Sequence, residues 1–442
     1  MSSRRDGAAG TVAPRLAVIE SLDCEGRGVA HVDGKAIFVD GALPGERVEY
    51  SPYRRKPSYE EAKVSRWLRT SAARVEPRCP HFGVCGGCSL QHADLATQVA
   101  AKQRALEDAL CHVGRLRAET ILAPIRGEAW GYRRRARLAV RLVPKKGGVL
   151  VGFHERRSSY VADMRTCDVL PPKVSALLVP LRALVASLSI ADRLPQIEVS
   201  VGDRVTVLVF RHLLPLTRED ERKLAAFADA NGIQAWLQPG GPETAMPFHP
   251  FDAPPLDYAL EELGVRIRFL PTDFTQVNAG VNERLVARVV RLLDPEEGEE
   301  VADLFCGLGN FALPLARLGA RVVGVEGNAN LVRRAEGNAV ANGLDVRFEV
   351  ANLFDPDACA RLPRVAKLVV DPPREGAIEV VKALPAKGAP ARIAYVSCDP
   401  ATLARDAGAL VAMKGYRLVM AGVANMFPHT SHVESIALFE RA

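Results

Sequence analysis

The segment CPHFGVCGGCSLQH, residues 79 to 92, places Cys79, Cys85 and Cys88 within ten positions. Thiols this close hold a metal or exchange disulfides, and three are one ligand short of a closed four-coordinate site. Three other stretches that could do chemistry lie in the C-terminal third. DLFCGLGNF, residues 303 to 311, follows a strand-like run and opens a helix-like one, so Gly307 and Gly309 let the backbone approach a ligand closely. VSCDPATLARD puts Cys398 at the end of an apolar run, just before a helix start at Pro400, where the helix dipole and backbone N–H groups would stabilise a thiolate nucleophile. HVESIALFE puts Glu434 in an otherwise apolar strand, where an unpaired carboxylate is costly to bury unless it is used.

The elements that must position these groups change character along the chain. After a short polar tail, residues 14 to 68 hold five strand-like runs between glycine and proline turns, which predicts a small five-stranded, OB-like barrel. Such barrels bind nucleic acid and also serve other ends. ADLATQVAAKQRALEDALCHVG reads as one helix ending near Gly114. From Trp130 to about Phe210, strands such as RRRARLAVRLV and VTVLVF flank an apolar helix, KVSALLVPLRALVASL, giving an α+β unit. Residues 238 to 258 are too rich in proline and glycine for a core element and suit a loop or irregular hairpin.

From Glu299 onward strands alternate with helices, which predicts a mostly parallel sheet covered on both faces. Glu326, ending the second strand, is placed to accept hydrogen bonds from a ribose, and Asn352, after the third, to contact an adenine. The glycines alone could simply shape a turn. With the acid they favour an S-adenosylmethionine-dependent methyltransferase over a nicotinamide enzyme, with seven strands of which the last, HVESIALFE, is antiparallel.

The 442 residues suffice for two or three domains, and 48% of them are apolar. The formal charge is only +6, but it is unevenly spread: eight basic against three acidic residues from Arg54 to Arg78, and ten against two from Arg126 to Arg157. In YRRRARLAV, alternation would set Arg133, Arg135 and Arg137 on one strand face against RNA phosphates, a solvated face being the plainer alternative. No apolar run of about 20 residues could span a bilayer and the N-terminus does not read as a signal peptide, so a cytoplasmic protein with reduced cysteines and no membrane partner is expected.

VSCDPATLARD, HTSHVESIALF and DFTQVNAGVNERL together resemble the bacterial uracil-C5 RNA methyltransferases, and most of all their iron-sulfur, 23S ribosomal RNA branch. The resemblance spans nearly the whole chain and implies a TRAM-type barrel over 12–70. It further implies a discontinuous iron-sulfur and RNA-binding domain over 75–92 and 125–268, and a class I, Rossmann-like catalytic domain over 93–124 and 269–442. It makes Cys398 the nucleophile and Glu434 the general base. Gln276 would border the pocket, Asp371 would hold the uracil and face the cofactor, and Phe305, Gly307, Gly309 and Asn310 would belong to the cofactor loop. Asp399 stands where the family usually has asparagine.

The same resemblance assigns a [4Fe-4S] cluster to Cys79, Cys85, Cys88 and Cys167, the last 79 residues beyond the third. On residue chemistry alone, four thiolates so spaced suit either a cubane or a zinc ion. Cys24, Cys111 and Cys359 have no motif around them, and Cys306 lies beside the cofactor loop without a catalytic partner. His429 and His432 read as orienting or RNA-facing groups. The implied partner is 23S ribosomal RNA, bound by a monomer. Two alternatives stay open: the same chemistry on transfer RNA or another ribosomal uridine, and an RNA-binding iron-sulfur protein without catalysis.

Overall fold

The computed structural model describes residues 15–441. Residues 12–14 of the expected barrel lie outside the described residues.

The five predicted N-terminal runs appear as six strands, because the first divides into Arg15–Val18 and Ser21–Leu22. Arg15–Val18 pairs with Arg47–Arg55, whereas Ser21–Leu22 pairs with Gly28–Val32. Between them the Ile19 N–H donates to the Glu46 carbonyl and the Glu20 N–H to the Val29 carbonyl, so the chain crosses from one sheet edge to the other and closes the barrel. Ile19, Ile37, Val39, Val48 and Tyr50 fill it.

The central sheet has six strands, ordered Met246–His249, Gln234–Gln238, Thr206–Arg211, Gln196–Val201, Arg135–Val143, Gly148–Gly152. Only the Thr206–Arg211 and Gln234–Gln238 pair is parallel, joined by the crossover helix Arg218–Asn231. The predicted apolar helix is two, Pro172–Ala176 and Leu178–Ser187. The break falls ahead of Pro180, which has no N–H to return to the preceding turn. The proline-rich stretch forms an irregular hairpin, as its composition implies: Met246–His249 pairs with Gln234–Gln238 through a register shift.

The C-terminal sheet has eight strands rather than seven: Val346–Val350, Arg321–Glu326, Glu300–Leu304, Lys367–Val370, Arg392–Ser397, Glu434–Arg441, Tyr416–Ala424 and, added at the edge, Thr120–Ile121. The added strand is two residues long, too short to carry a period. The first five are parallel, and Glu434–Arg441 is antiparallel to both neighbours. Strand order reverses between Glu300–Leu304 and Lys367–Val370, and that switch point opens a crevice at the carboxyl ends.

Helix Ala279–Leu293 buries Val281, Leu285, Val286, Val289 and Val290 under this sheet. The hairpin of Asp257–Leu260 and Val265–Arg268 packs into the same core, which Val207 and Val209 of the central sheet also enter. Helix Leu95–Ala109 packs on the opposite side with Leu403, Ala404 and Ala407. Among the described residues no helix is long and apolar enough to cross a membrane.

Candidate active site

Five parallel strands deliver their last residues to one end of the sheet, and the antiparallel sixth begins there. Phe305 follows the first, Glu326 ends the second, Asn352 follows the third, Asp371 the fourth and Cys398 the fifth. Ser397 is paired with Ser435, which sets Cys398 level with Glu434 on the neighbouring strand. Together with Gln276 and Gly307 these groups line one cavity of about 570 Å³. Sequence reasoning missed Phe274, Leu331, Phe354, Arg374 and Phe427, which share its wall.

Gly309 and Asn310 do not line it. Gly309 has φ +92°, and a Cβ there would meet Leu313 Cγ at 2.9 Å, so its role is to let the loop turn tightly onto the following helix. The Asn310 side chain points away, accepting from Tyr258 and Asn282 and donating back to Asn282, each at 3.0 Å. Gly307, with φ +56°, donates its N–H to Glu326 Oε2 at 3.2 Å, and Glu326 Oε1 accepts from Asn328. The acid expected at the ribose is thereby fixed in place by the loop it faces. Phe305 and Phe354 stand 5.7 Å apart at the mouth and offer a flat ligand an aromatic wall.

Burial pushes Asp371 up to about 7. Glu434 is 3% exposed, and burial, then the nearby Asp371, pushes its carboxyl well above the usual range. The Cys398 thiol is pushed up to about 11 by burial, then by Glu434 and Asp371, against the opposing pull of Arg374. The expectation for Cys398 is that the helix opening at Pro400 favours its thiolate. Asp399 caps that helix, accepting from the Ala401 and Thr402 N–H groups at 2.8 and 3.2 Å, so the donors meant for sulfur are already taken. Burial thus disfavours the charged forms of Asp371 and Glu434, and an entering cation would favour them.

The loop that bears Asp371 is clamped from below. Asp406 is fully buried and accepts from the Ala377 N–H, from Tyr395 Oη at 2.7 Å, and from Arg405, whose other nitrogen donates to the Glu375 carbonyl. His432 lines the cavity beside Phe427, whereas His429 is buried against Trp130 with ring centroids 3.8 Å apart.

The four cysteines Cys79, Cys85, Cys88 and Cys167 are free thiols and line a second, smaller cavity with Phe82, Phe153, Met164 and Val169. Among the described residues no three His, Cys, Asp or Glu side chains are grouped to hold a metal ion. The four cysteine sulfurs stand in a largely apolar pocket, with the Gly87 N–H donating to Cys85 Sγ at 3.3 Å, and a donor set of this kind fits either an iron-sulfur group or a zinc ion.

The arginine track is broken. Arg133 precedes the strand and lies over the Phe153 ring at 5.4 Å, Arg135 is largely buried with Nη1 unpartnered, and Arg137 pairs with Glu198 at 3.1 Å. Strand parity alone places Arg135 and Arg137 together but cannot tell which lies under its neighbours.

Comparison with known proteins bears on this site. The family model tRNA (Uracil-5-)-methyltransferase matches residues 257–353 and 362–442, and the TRAM domain model matches residues 15–49. The "23S rRNA (uracil(1939)-C(5))-methyltransferase RlmD" of Aromatoleum aromaticum is 65% identical over 430 residues, covering 96% of this chain and 99% of its own. The protein of the same description from Dechloromonas aromatica is 60% identical, covering 96% and 98%. Among solved structures, the tRNA (uracil-54, C5)-methyltransferase of Pyrococcus abyssi in complex with S-adenosyl-L-homocysteine superposes with a TM-score of 0.73. At 24% identity, covering 96% of this chain and all of that one, it supports the fold.

Proposed function

From the premise that this chain belongs to the RlmD family of 23S rRNA uracil-C5 methyltransferases, we propose that it methylates C5 of a 23S uridine, the one numbered 1939 in the names of its relatives. The observation that carries this reading is the placement of Cys398 and Glu434 side by side at the wall of one cavity, at the carboxyl ends of a methyltransferase sheet. S-adenosylmethionine would occupy the half of the cavity lined by Phe305, Gly307, Glu326 and Asn352, and would supply an electrophilic methyl group on a sulfonium.

The chain's own residues do the rest. C5 of uracil is a poor nucleophile until C6 is attacked, and Cys398 makes that attack as thiolate, its sulfur bonding to C6 and the electron pair moving to C5 and O4. Arg374 opposes the burial that otherwise keeps the thiol protonated. C5 would accept the methyl group, leaving a neutral thioether on the donor. Glu434, as carboxylate, takes the C5 proton, and the C6–S bond breaks to restore the ring and return the thiolate. Asp371 is suited to accept from uracil N3–H. The uridine must leave its stack to reach this depth, and Phe274, Gln276, Phe427 and His432 surround the space it would enter.

We assign a [4Fe-4S] cluster to Cys79, Cys85, Cys88 and Cys167, with no electron transfer needed in the methylation. The supporting domain division is 12–70, 75–92 with 125–268, and 93–124 with 269–442. Arg133 and Arg137 remain assigned to RNA contact as separate points rather than a track, and Arg135 to the support beneath them. The protein acts as a monomer in the cytoplasm, where its RNA and reduced thiols are found.

The test is wild-type protein and Cys398→Ala with methyl-labelled S-adenosylmethionine and total RNA from cells lacking the gene. Label in 23S RNA as 5-methyluridine, absent with the alanine variant, is expected. Label in transfer RNA would reject the substrate, and undiminished label with Cys398→Ala would reject the nucleophile. Iron and acid-labile sulfide analysis after anaerobic purification tests the cluster, with zinc and no sulfide as the refuting outcome.

A further inference from the structure

Glu434 opens its strand opposite Ala424, and residues 425 to 433 between them form a loop whose Phe427, His432 and Val433 line the catalytic cavity. This loop does not hold its own shape. His429 has φ +67°, left-handed for a non-glycine residue and kept only where the surroundings fix it. Beyond the Thr430 N–H and Oγ1 bonds to the Phe427 carbonyl, most of the loop's fixings come from 296 or more residues away in sequence.

Gln98 and Lys102 lie one turn apart on helix Leu95–Ala109, on the same face. Both are buried, at 0% and 2% exposure. Lys102 Nζ donates to Asn425 Oδ1 at 2.7 Å and to the Phe427 carbonyl at 2.8 Å. Gln98 Oε1 accepts from the His429 N–H at 2.7 Å, while its Nε2 donates to the Leu90 and Ala93 carbonyls. The Ser89 and Leu90 N–H groups both donate to the His429 carbonyl at 2.9 Å, and Tyr132 Oη donates to the Pro428 carbonyl at 3.0 Å.

A buried amine facing only neutral oxygens is costly, and an apolar residue would pack there more cheaply. What lysine adds is two directed hydrogen bonds to the first turn of the loop, beside the register pair that sets Glu434.

We propose that Gln98 and Lys102 are positioning residues for Glu434: they fix the loop so that the carboxylate meets C5 once the methyl group has arrived. This rests on the assignment of Cys398 and Glu434 above. Proton removal is the step that frees the enzyme from the RNA, since without it the C6–S bond stays closed. A loosened loop therefore slows release more than methyl transfer.

The experiment compares wild type, Lys102→Met, Asn425→Ala and Glu434→Gln in single turnovers with labelled S-adenosylmethionine and 23S RNA, followed by denaturing gels that separate free methylated RNA from RNA bound to protein. In Lys102→Met the denaturation-resistant adduct should rise about tenfold, the factor one charge-assisted hydrogen bond carries. Methyl transfer should fall less than about threefold, within the scatter of a surface change, with RNA KM unchanged. Asn425→Ala, which removes the acceptor instead of the donor, should do the same, and the double variant should be no worse than either single one.

Lys102→Gln, which keeps a donor, should restore part of the release rate. If methyl transfer and release fall together in Lys102→Met and Asn425→Ala, or adduct stays at the wild-type level in both, the inference is overturned. Glu434→Gln separates the two failures. Adduct in that variant but not in the Lys102 and Asn425 variants rejects the positioning role alone, whereas no adduct in Glu434→Gln rejects the assignment of the base and the inference with it.

Discussion

Replacing Asp371 by asparagine should stabilise the unliganded protein at pH 8 and abolish its activity. Burial raises the Asp371 pKa from 3.8 to about 7, so between those values the native state holds a proton that the unfolded chain has released. Stability contributed by that proton is complete below about pH 4 and is lost as pH rises through 7. Three units at 1.36 kcal/mol each give about 4 kcal/mol as an upper bound. Asp371 lines an open cavity and is partly reached by solvent, which reduces this to about 2 kcal/mol.

Urea midpoints for wild type and Asp371→Asn, measured from pH 4 to 8 without cofactor, give a difference curve in which titrating groups not coupled to Asp371 cancel, Glu434 and Cys398 being the coupled ones. Among the groups that cancel is Lys102, lowered by burial to about 7, whose contribution rises with pH above that value. The curve should be flat near pH 4 and favour asparagine increasingly up to pH 7. A flat curve throughout, or one favouring aspartate at pH 8, would refute the claim that the cavity holds this carboxyl neutral. The same reasoning predicts proton release on cofactor binding at pH 6.5, seen as a dependence of binding heat on buffer ionisation and diminished in the asparagine variant.

Other substitutions separate geometry from chemistry. Gly309→Ala, with φ +92° and Leu313 at 2.9 Å, should cost about 2–4 kcal/mol in chemical denaturation, against about 1 kcal/mol for Gly307→Ala, where nothing lies within 4 Å of the new Cβ. Equal costs would count against the turn assignment. Asp399→Asn should leave stability within about 0.5 kcal/mol and activity within about twofold, because asparagine caps a helix as well as aspartate does, whereas Asp399→Ala should cost about 1 kcal/mol. Tyr395→Phe removes a donor to the buried Asp406 and should cost about 1–3 kcal/mol, with a raised KM for RNA because the loop from Asp371 to Gly376 loses its support.

The cofactor half of the site was legible in the sequence because each of its groups ends a strand. Once residues 299 to 370 read as alternating strands and helices, Glu326, Asn352 and Asp371 had to gather at one edge, and an antiparallel last strand had to bring Glu434 beside Cys398. Gly309 and Asn310 share the loop but do not line the cavity, since a loop motif gives proximity to a ligand but not the direction of each side chain. Asp399 was legible as a cap preceding a proline, and it takes the Ala401 and Thr402 N–H groups of the helix that follows Cys398. Arg374 had a signal, a lone cation in a proline-rich turn after a strand. Phe274 and Phe427 had none, because they stand on irregular loops whose course is set by distant partners.

Those partners explain why the cysteine segment and the catalytic residues belong to one chain. The strand ends at the cavity are rigid without help, since all but that of the edge strand Val346–Val350 are held by hydrogen bonds on both sides. The substrate side of the cavity rests instead on the 425 to 433 loop, and that loop leaves the His429 carbonyl to be satisfied by Ser89 and Leu90, directly after Cys88. Whatever group closes the four-cysteine pocket therefore fixes the segment on which the loop leans, and Gly86, bonded to the His154 carbonyl, ties the same segment to the central sheet. Disturbing that pocket loosens the wall around the uridine before it reaches the cofactor loop, whose contacts run through Glu326 and Asp303 within the sheet itself. On the proposed assignment of the site, the cysteines would act through the backbone from Ser89 and Leu90 to the His429 carbonyl, at the substrate side and not at the methyl donor.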